Sequence, residues 1–122
     1  MLLKRLQDSE EILANDGCRL RELLHRDRDS VDEPYSLAWA TIDPGKSTLP
    51  HRLREQSELY WVVSGQGRIH VGEETSAVHP GDAILVPKNE LQWIENAGTD
   101  PLCVVLIVSP PWMAEDDVRE PG

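Results

Sequence analysis

His51, Glu58 and Gln92 are the side chains whose types and setting could do chemistry in this sequence. An imidazole can ligate a metal or carry a proton near neutral pH. A carboxylate can ligate a metal, take up a proton or return one. A glutamine amide can hydrogen-bond a substrate or offer a neutral oxygen to a hard cation. Glu58 adjoins the apolar run Leu59-Tyr60-Trp61-Val62-Val63. In a β-strand, residues 58, 60 and 62 share one face. If Val62 faces a core, Glu58 and Tyr60 face it too. A carboxylate so placed must be paired, protonated or metal-bound, because an unpaired buried charge costs several kcal/mol. By the same parity an inward Ile94 carries Gln92 inward, where its amide needs partners. His51 therefore reads either as a ligand or as a polar partner of Glu58. Glu58 reads as a ligand or acid/base group, or as a carboxyl bonded to His51, Tyr60 or Gln92. His25, His70 and His79 read as solvated strand or turn residues.

Strands are the elements that must hold these groups. From Tyr35 onward, strands are expected at 35–42, 58–63, 68–71, 75–79, 83–86, 91–95 and 102–108. Gly- and Pro-rich turns separate them, including Asp43-Pro44-Gly45, Gly65-Gln66-Gly67 and Pro80-Gly81-Asp82. Turn signals at roughly 8–12-residue spacing mark an all-β sandwich or barrel. Upstream, a short helix is expected over 8–15, with Asp8 and Glu11 spaced as in a capping box. Residues 18–24 alternate as a short strand, and 27–34 read as a polar loop. The segment from Pro110 is Pro-rich, then acidic, and is expected to be irregular with Trp112 as its anchor. This divides the chain into an N-terminal extension (1–34), a barrel (35–112) and an acidic tail (113–122).

The spacing of the chemical residues resembles the cupin superfamily. Gly45, five residues, His51, one residue, Leu53, four residues, Glu58, six residues and Gly65 resemble its first motif. Gly81, five residues, Pro87, one residue, Asn89, two residues, Gln92, three residues and Asn96 resemble its second. The resemblance implies a double-stranded β-helix, a jelly-roll barrel of two antiparallel sheets. In metal-binding cupins the four ligands fall at the positions held here by His51, Leu53, Glu58 and Gln92. Two of the four ligand types remain. Leucine cannot coordinate, and the common open iron site needs two His and one carboxylate.

Three readings follow from that resemblance. The first is a small metal-dependent cupin acting on a small polar molecule as an oxygenase, isomerase or lyase. His51, Glu58 and Gln92 would hold zinc, iron, nickel or manganese. Glu58 and His51 would be catalytic, and Tyr60, Gln92 and Leu53 would touch the substrate. The second is a metal-free module that binds a sugar or carboxylic acid in a degenerate site. The third is a metal-free isomerase or cyclase with Glu58 as base and His51 as acid. No organic cofactor is expected.

Composition bounds these readings. The chain has 122 residues, one domain by length. Its net charge is −10, with no basic patch, which disfavours nucleic-acid binding. No apolar run approaches the roughly 18 residues of a membrane span, and the N-terminus lacks a signal-peptide pattern. Cys18 and Cys103 then read as free thiols of a cytoplasmic protein. Trp61 and Trp93 have parity opposite to Glu58 and Gln92 and should point outward, as aromatics at a subunit interface do. Residues 18–24 are suited to extend the sheet of a second subunit, so a homodimer is expected.

Overall fold

Side-chain parity sorts this chain into two layers. The computed structural model describes residues 1–120. Its strands are β1 (Glu11–Leu13), β2 (Arg19–Leu24), β3 (Ser36–Ile42), β4 (His51–Leu53), β5 (Ser57–Ser64), β6 (Gly67–Val71), β7 (Glu74–Val78), β8 (Ala83–Val86), β9 (Gln92–Asn96), β10 (Leu102–Ser109) and β11 (Asp117–Arg119). A six-stranded sheet runs β1-β2-β3-β10-β5-β8, and a five-stranded sheet runs β11-β4-β9-β6-β7. The pairings are antiparallel. The fold is the all-β, double-stranded β-helix that the motif spacing implied. Among the described residues, no helix is long and apolar enough to cross a membrane.

Strict alternation builds the core. Along β10, Leu102, Val104, Leu106 and Val108 are buried, while Cys103, Val105 and Ile107 lie partly exposed on the outer face. Along β5, Glu58, Tyr60 and Val62 are buried, and Trp61 between them stays 48% exposed. The inward rows pack with Val86 of the same sheet and meet Ile69 and Ile94 across the barrel. Burial of such side chains contributes roughly 1.5–3 kcal/mol each. Parity thus carries Glu58 and Gln92 into the core together with the residues that stabilise it.

The two ends of the chain depart from expectation. Residues 8–15 do not form a helix. A 3-10 turn covers Leu6–Asp8, and Glu11–Leu13 pair as β1 with β2. The capping-box signal loses because Glu11 finds Arg19 across the strands, 3.1 Å away, and Arg21 at 3.7 Å. The polar segment after His25 opens with one helical turn, Arg26–Asp29. The tail is not irregular: Asp117–Arg119 form β11, in register with Leu53, Arg52 and His51 of β4. Trp112 anchors it as expected. Its N–H donates to Ser36 Oγ, its carbonyl accepts from His25 Nε2 at 2.6 Å, and its Nε1 donates to Asp117 Oδ2 at 3.0 Å. His25 is consequently buried rather than solvated. Strand β2 lies between β1 and β3, so both its edges are used within the chain and it cannot extend a partner's sheet.

Candidate functional site

The barrel interior brings the predicted residues together. His51 of β4 lies opposite Gln92 of β9 in the five-stranded sheet, and Glu58 and Tyr60 face them from β5. His51, Leu53, Glu58, Tyr60 and Gln92 are all buried, Gln92 to 1% exposure. His51, Leu53 and Glu58 line a cavity of about 250 Å³. At about 30 Å³ per water, it has room for one small molecule.

Each polar group in this cluster has a distinct role. The Tyr60 hydroxyl donates to Gln92 Oε1. Burial first, and the Glu58 charge second, hold the Tyr60 phenol well above its ordinary range, so it stays a donor. Gln92 is also the hydrogen-bond partner of Glu58. His51 Nδ1 lies 2.8 Å from the Leu49 carbonyl. A carbonyl can only accept, so Nδ1 carries a proton and Nε2 is left for the cavity. Glu58 is the group left incomplete. It is 6% exposed, and among the described residues its Oε1 has no hydrogen-bond partner. Burial, then the charges of Asp16 and Asp117, push its carboxyl up to about 8 against an ordinary 4.5. Glu58 is therefore largely protonated at pH 7.

Asp16 and Asp117 are the members that sequence reasoning missed. Asp16 follows β1, and Asp117 opens β11, so both come from segments outside the predicted barrel. Asp16 is fixed by its carbonyl, which accepts from the Leu49 N–H at 2.7 Å, and by Oδ1, which accepts from the Cys18 N–H at 3.1 Å. Its Oδ2 lies 3.7 Å from His51 Nε2, beyond hydrogen-bond distance. Asn15 Nδ2 donates to Asp117 Oδ1 at 3.3 Å and so ties the two segments together over the cavity. No local pattern announced this, because the partners stand 102 residues apart. Cys18 lines the same cavity. Burial, then Asp16, raises its thiol far above its usual range, which keeps it an inert thiol.

These residues do not fit a divalent metal. Leu53 has no donor atom. The Gln92 oxygen is engaged by the Tyr60 hydroxyl. Among the described residues, no group of three or more His, Cys, Asp or Glu side chains is arranged to hold a metal ion. The expected ligand set of His51, Glu58 and Gln92 thus falls short because the Gln92 oxygen is committed to Tyr60 and Leu53 stands where a fourth donor would be.

A double-stranded β-helix with an inward His-Glu-Gln cluster is the architecture of a cupin. The Cupin domain family model matches residues 38–108, and the chain belongs to that family. It is 34% identical over 105 residues to an uncharacterised protein of Methanocaldococcus jannaschii, covering 85% of this chain and 82% of that one. It is 30% identical over 84 residues to the mannose-1-phosphate guanylyltransferase RfbM of Salmonella typhimurium, covering 69% of this chain but 18% of that enzyme. Among solved structures, Streptomyces Pac13 with uridine superposes with a TM-score of 0.80 at 22% identity, covering 98% of this chain and 90% of that one. Pac13 is described as a nucleoside dehydratase. At that identity the likeness shows the fold.

Proposed function

We propose that this protein is a metal-independent cupin that binds a small, non-anionic polar molecule inside its barrel. The observation that carries this reading is Glu58, a buried carboxyl in the cavity lining whose Oε1 has no hydrogen-bond partner among the described residues. Leaving such an atom unmet costs roughly 1–3 kcal/mol, which a ligand hydrogen bond would recover. Anions are disfavoured because Asp16 and Asp117 line the cavity and, among the described residues, no Lys or Arg does. That selects against the carboxylic acids considered above and against a phosphorylated sugar of the kind RfbM is named for. Tyr60 and Gln92 hold the Glu58 carboxyl in place from behind.

The test is a thermal-shift and tryptophan-fluorescence screen of chelator-treated protein against neutral polyols, nucleosides, amines and carboxylic acids. Hits confined to uncharged or cationic compounds, weakened about tenfold by Glu58→Ala, are the expected result. Hits confined to acids, or appearing only after a metal is added, would contradict it. A second reading, acid–base catalysis on the bound molecule, is favoured by a carboxyl that titrates near neutrality. Product analysis on any hit separates it from binding alone.

A homodimer is also proposed. The outer face of the six-stranded sheet carries Trp61 and Leu85, exposed by 48% and 63%. Their strands pair, so the two side chains belong to one apolar face. Sedimentation at micromolar concentration should give twice the chain mass of 13.7 kDa. A stable monomer would rule the dimer out.

A further inference from the structure

We infer that the ligand of the barrel cavity is a small organic cation, a protonated amine on a compact apolar body. This rests on the reading above that the cavity holds a ligand without a metal. The walls are mostly apolar, with Leu20, Ala38, Leu53, Leu106 and Val108 among them. A polyol would bury hydroxyl groups against such walls without partners, at a cost for each. A ligand with one polar end and an apolar body leaves few groups unmet.

The polar end meets an acidic surface. Asp16 and Asp117 enter the lining from the two ends of the chain, and Glu58 enters from the barrel. Glu22 lines the cavity as well but is already paired with Arg28 at 3.1 Å. Asp16 Oδ2 lies 3.7 Å from His51 Nε2, beyond hydrogen-bond distance, and among the described residues Glu58 Oε1 has no hydrogen-bond partner. Two carboxyl groups in the lining of one cavity match the several N–H donors of an ammonium group. Trp112 lines the cavity too, and its Nε1 donates to Asp117 Oδ2, which fixes that carboxylate in the lining. His51 is the remaining titratable side chain with a hydrogen-bonding nitrogen in the lining. Its Nδ1 is held by Leu49, which leaves Nε2 as a further contact for a donor.

Three probes of one shape test this: cyclohexylamine, cyclohexanol and cyclohexanecarboxylate. Each is titrated calorimetrically at pH 7 into the full-length, chelator-treated chain. The amine should bind at least about tenfold tighter than the alcohol, and the carboxylate weakest of all. Asp16→Asn should narrow the amine-to-alcohol ratio. Glu73→Gln, an exposed site in the β6–β7 turn, should leave the ratio alone. Melting curves of both variants check that they are folded. An alcohol that binds as well as the amine overturns the cation inference and leaves metal-free binding standing. An unchanged ratio in Asp16→Asn also overturns it. Carboxylate binding that appears only when zinc is added overturns both readings.

Discussion

Replacing Glu58 by glutamine should stabilise the protein at neutral pH, by an amount that vanishes in acid. The Glu58 carboxyl titrates at about 8 in the folded chain against an ordinary 4.5. Below 4.5 it is protonated folded and unfolded, and burial adds no charge penalty. Between 4.5 and 8 the folded chain keeps a proton that the unfolded chain releases. Stability is therefore lost as pH rises through this window. Above 8 the loss levels off. At pH 7 it amounts to about 3 kcal/mol. Glutamine has nearly the same shape and no charge at any pH. The melting temperature of Glu58→Gln should match the wild type near pH 4 and exceed it by about 15 °C at pH 8, where the loss is about 4 kcal/mol. A difference that does not change with pH would show that Glu58 is not a desolvated acid. Carrying an acid at this cost fits a residue whose use lies in the cavity rather than in stability.

Gly65→Ala should be the most damaging single-methyl change in the barrel. Gly65 closes the strand that carries Glu58 and Tyr60, with φ at +87°. An added Cβ would lie 2.6 Å from the Pro101 carbonyl oxygen and 2.8 Å from the Leu102 Cα. Both are backbone atoms, so the turn itself would have to move. Gly45 is the natural control. It also has positive φ, at +78°, but nothing lies within 4 Å of its Cβ position. Gly45→Ala should cost about 1 kcal/mol for the backbone conformation alone. Gly65→Ala should cost about 3 kcal/mol or more, a melting loss of about 10 °C. Equal losses at the two sites would mean that close packing at Gly65 contributes nothing.

Most of the barrel was legible because parity and turn chemistry are local. Alternation through 58–63 and 102–108 sorts inward from outward side chains without knowledge of their partners. Gly65 and Gly81 mark turns because positive φ favours their type. The same alternation placed Glu58, Tyr60 and Gln92 inside. The ends were illegible for the opposite reason. Strands β1 and β11 have three residues each, too short to show a period. Their existence depends on pairing with β2 and β4. Asp16 and Asp117 read as two charges among many in an acidic chain. Their position over His51 and Glu58 follows from the path of the whole backbone. The resemblance likewise marked where a metal would sit. It could not show that Tyr60 occupies the Gln92 oxygen, which is a contact between strands 32 residues apart.

The most direct measurement is the metal content of untagged protein purified without chelator, repeated after incubation with zinc, manganese, iron and nickel and then dialysis. The expected result is no stoichiometric metal in either sample, with no rise in melting temperature on addition. Close to one equivalent per chain, lost in His51→Ala, would contradict a metal-independent barrel.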